Sequence, residues 1–402
     1  MYVFLLVLTI AVFTGFQGWR TLFNNFAVEK AMIQGHEVGI IQSIREIPGF
    51  LALLVIYILL LVKEHTLAAL SVLFMGLGVG LTGLFPSFAG LLITTLIMSF
   101  GFHYFETMNQ SLTLQYFSIH QAPLVFGRLR SIAAVTSITV GLGILGLSTW
   151  LDYRMMFVVL AAVTLGGGVW CMFQDPVDRE LPLQKKGMIF RKKYWLFYAL
   201  TFFAGARRQI FIAFAVFLLV KKFEFSIQAV TGLFVFNQAV NIFVAPLVGR
   251  AINRYGERLV LTLEYASLIV VFLSYAYSQS AVLVVAMYVF DHIVFNCAMA
   301  IRTFFQKIAA PGDIAPSMAM GFTINHIAAV VLPALGGLLW LVNYQLVFLG
   351  GVLLSLCSLI LVQAIPGRVA VAETSPPMGR ATSEKDAGQG MERSGGGRHA
   401  GS

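Results

Sequence analysis

Long apolar stretches separated by short polar segments fill residues 1–365. A helix of about 20 apolar residues crosses the hydrocarbon core of a bilayer, which is about 30 Å thick. Segments such as 50–62, 91–102 and 352–362 are continuously apolar. They lack the alternation of a membrane β-barrel, so the pattern predicts transmembrane helices. The predicted spans, twelve in all, are 2–28, 37–62, 66–84, 88–117, 123–150, 154–174, 192–219, 226–249, 257–277, 281–307, 313–341 and 344–364.

Most connections between these spans are short, but residues 175–193 form a longer segment rich in charge and proline. This segment predicts a cytoplasmic linker between an N-terminal six-helix bundle at 1–174 and a C-terminal six-helix bundle at 194–365. The end of the chain, 366–402, is rich in Gly, Ser, Pro and charged residues. Such a composition predicts a disordered tail, here cytoplasmic.

The composition and the charge distribution agree with a membrane protein. The chain is 58% hydrophobic and 11% charged, whereas soluble domains carry roughly 25% charged residues. Lysine and arginine concentrate in alternate connections, among them Lys63, Arg128, Arg130, Lys185 and Arg254. The positive-inside rule then predicts a multi-pass protein of the cell (inner) membrane with both termini in the cytoplasm. Because topology accounts for much of the +9 net charge, we expect no nucleic-acid partner.

The second half of the chain repeats parts of the first at an offset of about 190 residues. The segment that begins at Arg20 aligns with the segment that begins at Arg208, and His103 aligns with His292. Repeats of this kind predict two related helical bundles that rock about a site near the membrane midplane.

One connection carries a family signature. Residues 249–258 read Gly-Arg-Ala-Ile-Asn-Arg-Tyr-Gly-Glu-Arg. This segment resembles the Gly-x-x-x-Asp-Arg-x-Gly-Arg-Arg signature of major facilitator superfamily transporters, with Asn253 and Glu257 as departures, and the loop at 62–65 lacks the signature. The resemblance implies an all-α integral membrane fold of twelve transmembrane helices in two pseudo-symmetric six-helix bundles.

In that family the signature loop latches the outward-facing state, so the resemblance implies gating residues in this loop. Gly249 permits close helix approach, Gly256 permits a tight turn, and arginines can bind helix carbonyls and a carboxylate. The alternative is a basic cytoplasmic loop that topology alone requires. The predicted gating residues are Gly249, Arg250, Asn253, Arg254, Gly256, Arg258 and Arg302, and Arg302 could instead be an anchor.

Ionisable residues inside a membrane are costly and should face a partner or an aqueous cavity. The resemblance implies that spans 1, 4, 7 and 10 line such a cavity. Most of the buried charges lie on these spans: Arg20, His103, Glu106, Arg207, Arg208, Asp291, His292 and Arg302. Arg45 and Glu46 in span 2 could instead form a structural pair, and Asn325 and His326 lie in span 11.

These residues predict a binding site and a proton-coupling site. Arg20 and Arg208 suit an anionic group, because each guanidinium offers a fork of donors; Arg207 is adjacent to Arg208, so only one of the two should face the cavity. The other predicted substrate-binding residues are His103, His292, Asn325 and His326, although His326 and Asn325 could be satisfied interhelical hydrogen bonders.

Glu106 and Asp291 are the predicted proton carriers, since each shares a cavity helix with basic residues. His103, Glu106 and Gln110 fall on one helical face. By the same spacing argument, Asp291 and Arg302 should share one side of span 10.

The sequence therefore predicts a secondary active transporter that works by alternating access, is proton-coupled and moves a small solute, with an organic anion favoured. A metal or metal-chelate transporter using His103, Glu106, Asp291 and His292 is the alternative, and a transporter-like membrane sensor is another. No nucleotide-binding motif and no convincing enzymatic constellation are present. We expect a small-molecule substrate, protons and the lipid bilayer as partners, no cofactor, no resident metal and a monomer.

Overall fold

A computed structural model describes residues 1–178, 180–185 and 187–366 of the chain. These residues form fifteen α-helices, short 3-10 turns and one π-helical segment. The helices are α1 Tyr2–Glu29, α2 Gly35–Arg45, α3 Ile47–Phe50, α4 Val55–Ile58, α5 Glu64–Thr82, α6 Phe88–Tyr116, α7 Ala122–Leu147, α8 Tyr153–Met172, α9 Trp195–Ile210, α10 Val216–Phe223, α11 Ile227–Tyr277, α12 Ala281–Val294, α13 Met299–Ile308, α14 Ile314–Val342 and α15 Tyr344–Val362. The predicted tail, 366–402, lies outside the described residues apart from Pro366.

Each predicted span corresponds to one helix or to a set of consecutive helices. Among the described residues, nine segments are long and apolar enough to cross a membrane. One of them, in α11, contains two predicted spans, because Gly256 interrupts the helix with φ 80° and ψ 162°. The remaining two predicted spans correspond to α9 with α10 and to α14.

Three of the spans are interrupted near their middle. Pro48 follows α2, and a 3-10 turn at Leu51–Leu54 separates α3 from α4. A π-helical segment at Phe211–Ala215 separates α9 from α10, and a 3-10 turn at Phe295–Ala298 separates α12 from α13. Irregular backbone at membrane depth is tolerated where it is buried in protein or lines a cavity. We therefore expect these interruptions to be buried in protein or to line a cavity.

The buried apolar residues form two clusters that divide along the chain. One runs from Phe4 to Cys171 and holds residues of the first half only. The other runs mainly from Tyr194 to Ile365 and includes a few residues at the end of α6 and the start of α7. Each half thus has its own packed interior, while the proposed domain boundaries remain a prediction.

The segment between α8 and α9 is anchored to the turn that joins α13 and α14. The Gln184 side chain donates to the carbonyl of Pro311 at 2.9 Å, and the backbone N–H of Lys185 donates to the carbonyl of Gly312 at 2.8 Å. The linker is therefore docked on the second half of the chain, which its charged and proline-rich composition did not reveal.

Asp313, in the turn before α14, is the centre of this anchor. Its fully buried carboxylate lies 2.8 Å from Lys185 Nζ and 2.9 Å from Arg191 Nε, and it accepts a hydrogen bond of 2.8 Å from the Tyr194 hydroxyl. Burial by itself would raise the pKa of the Asp313 carboxyl, but Lys185, Tyr194 and Arg191 outweigh it and hold the pKa below its ordinary value.

This shift makes the anchor sensitive to acid. Because the folded-state pKa is lowered, the stabilisation is fully present above the unfolded-state pKa of about 3.9 and is lost as the pH falls through the folded-state value. We expect Asp313→Asn to lower the melting temperature at pH 7, and we expect this deficit to shrink progressively as the pH falls below about 4. The measurement is thermal unfolding in detergent from pH 7 to 3, with Asp175→Asn, at an exposed linker position, as control. An unchanged deficit at pH 3 would contradict the role of the carboxylate.

Candidate functional site

A cavity of about 1800 Å³ lies between the two halves. Its walls come from α1, α2, α6, α7 and the start of α8 in the first half and from α9 to α14 of the second half. The lining extends to the exposed residues Lys30, Ser148 and Asp152, at the side of the molecule where α1 and α7 end. The cavity is therefore open on that side, which is called the open end below.

The opposite side is closed by contacts between the halves. The Gln306 side chain donates to the carbonyls of Leu114 at 2.8 Å and Phe117 at 2.7 Å, which end α6. Asn253 Nδ2 donates to the carbonyl of His120 at 2.6 Å. These contacts, together with the approach of α11 to α7, define the closed end.

The cavity lining carries more positive than negative charge. Six basic side chains face three acidic ones. The basic residues are Arg20, Lys30, Arg45, Arg130, Arg208 and Arg302, and the acidic residues are Glu46, Glu106 and Asp152. Lys30 and Asp152 lie at the open end, and the other seven charged residues lie deeper in the cavity.

Arg20 and Arg208, the arginines predicted to bind an anion, line this cavity from opposite halves. The Arg20 guanidinium lies 5.5 Å from the ring centroid of Phe234. Arg207 is buried on the other side of α9, where its guanidinium lies 4.4 Å from the Tyr265 ring centroid and donates to the Ser358 hydroxyl. Adjacent helical residues point about 100° apart, so only Arg208 reaches the cavity.

Glu106 faces a cluster of arginines within the cavity. Arg302, Arg130 and Arg208 all interact electrostatically with its carboxylate. Arg130 was assigned from the sequence to a cytoplasmic connection, and this assignment is wrong. The residue lies in α7 and its guanidinium lies 5.2 Å from the ring centroid of Phe295 in the other half. Its position inside the predicted span 123–150 was the signal that could have found it.

His103 and His326 meet across the two halves, with ring centroids 5.1 Å apart. Together with Glu46 they form a group of possible ligands, whose donor atoms all lie within 4.8 Å of one another. Glu46 Oε1 also accepts from Arg45 at 2.8 Å. The sequence paired His103 with Glu106 as possible metal ligands, but the described residues place Glu46 and His326 beside His103 instead.

His292 and Asn325 also line the cavity. His292 Nε2 lies 2.8 Å from Asn241 Nδ2, and Asn296 donates to the side-chain oxygen of the same Asn241 at 2.8 Å. Asn325 donates to the carbonyl of Thr201 at 3.2 Å. These hydrogen bonds tie α12 to α11 and α14 to α9, so both residues have structural partners in addition to cavity exposure.

Asp291 does not line the large cavity with Arg302, although spacing along the sequence placed the two residues on one side of span 10. Asp291 instead borders a small space of about 20 Å³, beside Arg207 and Glu264. The 3-10 turn between α12 and α13 rotates by about 120° per residue rather than about 100°, which shifts the helical phase. Glu264, in the middle of predicted span 9, was not selected from the sequence.

Residues of the signature loop make contacts between the halves at the closed end. Gly249 of α11 packs against the carbonyl group of Pro123, and a Cβ there would lie 3.0 Å from the carbonyl carbon and closer still to the oxygen. Gly256, at φ 80°, makes the turn that the sequence predicted. Asn253, which departs from the family signature, supplies the hydrogen bond to the first half.

The arginines of the loop act differently from the expectation. Arg258 donates to the Gln363 side-chain oxygen at 3.0 Å, Arg254 stacks near the Tyr255 ring and Arg250 is exposed. No ion pair involves these three arginines within the described part of the chain. The buried acid of the loop, Glu257, instead pairs with Lys307 at 2.7 Å.

Arg302, the other predicted gating residue, lies in α13 of the second half and contacts the first half. Its guanidinium lies 5.6 Å from the ring centroid of Phe126 at the start of α7.

The comparisons with known proteins define the class of this fold. The family model of the Major Facilitator Superfamily matches residues 2–313. The chain therefore belongs to the Major Facilitator Superfamily, and it is a multi-pass membrane transporter of the secondary type rather than an enzyme. No curated protein matches the chain.

Solved structures share the fold at low sequence identity. A bacterial homologue of the iron transporter ferroportin in its outward-facing state is 12% identical with a TM-score of 0.73, over 91% of this chain and 99% of that chain. The human organic anion transporter MFSD10 (TETRAN) is 14% identical with a TM-score of 0.70, over 90% of this chain and 98% of that chain. FucP in the outward conformation is 13% identical with a TM-score of 0.70, over 90% and 97%. At these identities the similarity shows the fold, and the predicted all-α multi-span membrane fold is confirmed.

Proposed function

We propose that this transporter moves a small organic anion across the membrane by alternating access, coupled to protons. The observation that carries the proposal is the positive surplus in the cavity, where six basic side chains face three acidic ones. A buried positive charge without a counter-charge is costly, so a cavity with this surplus favours an anionic ligand. A guanidinium binds a carboxylate or phosphate through two parallel hydrogen bonds, which adds geometric specificity.

The placement of Arg20 and Arg208 on opposite halves supports alternating access. An anion held by both arginines contacts α1 and α9 at once, so it senses the relative position of the two halves. The cavity reaches exposed residues at one end only, while Gln306 and Asn253 hold the other end closed. Rocking of the halves about the bound anion would close the open end and open the closed end.

Glu106 supports coupling to protons, because its carboxylate competes with the anionic substrate for the arginines of the cavity. Its carboxylate interacts electrostatically with Arg302, Arg130 and Arg208, so it occupies the same arginines that the substrate would use. Protonation of Glu106 would release these guanidiniums for the anion. A proton and the anion would then bind together.

The site around Asp291 offers a second place for a proton. Two carboxylates, Asp291 and Glu264, border the same small space as Arg207, whose Nη2 lies 3.9 Å from Glu264 Oε1. The Tyr275 hydroxyl lies 3.5 Å from Asp291 Oδ2. A proton taken up here would be held by one of these two buried acids.

We expect Glu106→Gln to bind the anion independently of pH and to lose proton-driven accumulation, because the amide no longer competes by charge for the arginines. Asp291→Asn should weaken the dependence on the proton gradient in the same direction. The measurement is uptake into proteoliposomes with and without an imposed pH gradient. Glu224→Gln, at an exposed position, is the matched surface control. Full gradient dependence in both variants would rule out their role as proton carriers.

The substrate class is tested by a thermal-shift screen of purified protein against carboxylates, phosphate esters, sugars, amines and amino acids. Stabilisation restricted to anions supports the proposal, and stabilisation by neutral or cationic solutes alone would refute it. Flux of each hit in proteoliposomes then separates a transporter from a membrane sensor, which would bind without translocation.

The concentration of basic residues on one side supports an orientation in the cell membrane with both termini in the cytoplasm. In this orientation the open end faces away from the cytoplasm and the structure corresponds to an outward-facing state. The two bundles at 1–174 and 194–365 would be the rocking units of a monomer.

A further inference from the structure

The Glu46, His103 and His326 side chains converge where an interrupted helix of the first half meets α14 of the second half. Their possible donor atoms lie within 4.8 Å of one another. α2 ends at Arg45 and Pro48 lies in the first turn of α3, and the backbone N–H of Leu53 donates to the Thr323 hydroxyl of the other half at 2.9 Å. The three side chains line the large cavity, so a solute can reach them.

The tautomer of His103 follows from its hydrogen bonds. The Ser99 hydroxyl donates to the carbonyl of Arg45, so its hydrogen is not available to His103. His103 Nδ1 lies 2.9 Å from the carbonyl oxygen of Ser99, which can only accept. Nδ1 is therefore protonated, and Nε2 of a neutral His103 carries a lone pair.

His326 has the same arrangement. Its Nδ1 lies 2.9 Å from the carbonyl oxygen of Phe322, so Nδ1 donates and Nε2 is an acceptor. Metal-binding histidines commonly donate their second ring N–H to a carbonyl in this way, which fixes the ring and its tautomer.

Gly49 lets the two imidazoles approach the same point. A Cβ at this position would lie 2.6 Å from His326 Nε2 and 2.8 Å from His103 Cδ2. The Nε2 edges of both rings thus face the space beside Gly49, with the carboxylate of Glu46 nearby. The two Nε2 lone pairs and the Glu46 carboxylate are all acceptors, and no donor among the described contacts is shared by the three groups. One cation bound between them would interact favourably with all three.

We infer that Glu46, His103 and His326 form a site for a divalent transition-metal ion that enters the cavity as a chelate of the organic anion. Two imidazoles and one carboxylate are a ligand set for Fe²⁺, Co²⁺ or Zn²⁺ that leaves coordination positions open. Three donor atoms within 4.8 Å of one another lie close to a common centre, so bonds of about 2.1 Å require each group to move inward by less than about 1 Å.

The local charge explains why the ion arrives with an anion. Arg45 neutralises Glu46 at 2.8 Å, and Arg208 also acts on Glu46 and on His326. A bare divalent cation would meet a surplus of positive charge. In an anionic chelate, oxygen atoms of the organic anion fill the open coordination positions, and its remaining negative charge meets Arg208.

This inference rests on the proposed anion transport and names its substrate class more closely. The site joins both halves, since His326 belongs to α14 and the other two ligands belong to the first half. Rocking of the halves would therefore assemble and separate the metal ligands during each transport cycle.

The test uses purified full-length protein and three probes, Co²⁺, citrate and the Co²⁺–citrate complex. We expect Co²⁺–citrate to bind at least about tenfold more tightly than citrate, with a change in the visible absorption of Co²⁺ that reports nitrogen ligation. His103→Ala and His326→Ala should each abolish this change and return the affinity to that of citrate alone. Glu46→Gln, which can keep a hydrogen bond to Arg45, should weaken only the complex.

His120→Ala, at an exposed position in the connection before α7, controls for surface binding of Co²⁺. Equal affinities for citrate with and without Co²⁺, unchanged in the histidine variants, would overturn the metal site and leave anion transport standing. Tight binding of Co²⁺ at His103 and His326 that does not depend on citrate would overturn the chelate. Failure of every anion to bind would refute the proposed function, and the cobalt spectrum would still report on the two histidines.

Discussion

Replacing Arg208 by glutamine is expected to weaken binding of the anion and hence to slow transport. Arg208 lines the central cavity, its Nε has no hydrogen-bond partner among the described atoms, and it lies on the half opposite to Arg20. A hydrogen bond to a charged group contributes about 1.5–3 kcal/mol, which corresponds to a roughly 10- to 100-fold loss of affinity. Equilibrium binding and proteoliposome flux of the best anion from the screen measure this effect. Arg20→Gln should cause a loss of the same kind.

Arg154→Gln is the matched control, because Arg154 is exposed at the start of α8 and does not line the cavity. It should leave binding unchanged. The same control separates a local loss of ligand contacts from a general loss of positive charge. An Arg208→Gln variant that retains wild-type affinity and flux would show that the basic surplus of the cavity is not used for substrate.

Replacing Gly249 by valine is expected to open the closed end. The carbonyl group of Pro123 lies directly against Gly249, so a side chain at this position forces α11 away from α7. Gly127 makes a similar contact from the other helix, since a Cβ there would lie 2.6 Å from the carbonyl oxygen of Ala245. Both contacts involve rigid backbone, which cannot move aside as a flexible side chain can. Transport should fall by more than about tenfold, because the outward-facing state is lost.

The conformational shift is measured with a single cysteine at Thr21, which is exposed and lines the cavity, in a background that lacks Cys171, Cys297 and Cys357. Labelling by an impermeant maleimide added at the open end should become slow in Gly249→Val and remain fast in Gly232→Ala. Gly232 lies in the same helix, and no other group lies within 4 Å of the position that a Cβ would occupy there. Fast labelling in Gly249→Val would show that this contact does not hold the closed end.

Arg207 and Arg208 show what a sequence pattern determines and what it leaves open. The sequence established that only one of Arg207 and Arg208 could face the cavity, because neighbouring helical positions diverge. It could not decide which one, since that depends on how α9 is rotated against α11 and α15. The structure buries Arg207 against Tyr265 and Ser358 and leaves Arg208 in the cavity.

Interrupted helices explain why the structure differs from the sequence predictions at Asp291 and at Glu46. Spacing along an ideal helix placed Asp291 with Arg302, but the 3-10 turn at Phe295–Ala298 changes the phase between them. The same kind of interruption near Pro48 brings Glu46 to His103 and His326. These three residues come from segments far apart in the chain, so no local pattern could join them.

The sequence by itself determined that this protein is a bundle of membrane helices of the Major Facilitator Superfamily with its scarce charges on the helices that enclose a cavity. Hydrocarbon imposes this pattern directly, because each span needs a continuous apolar length and each buried charge needs a polar neighbour. Only the tertiary structure decided which charges meet, which end of the cavity is closed and that Glu46 joins two histidines. Those features depend on helix rotation, on helix breaks and on contacts between halves, which residues distant in the chain fix together.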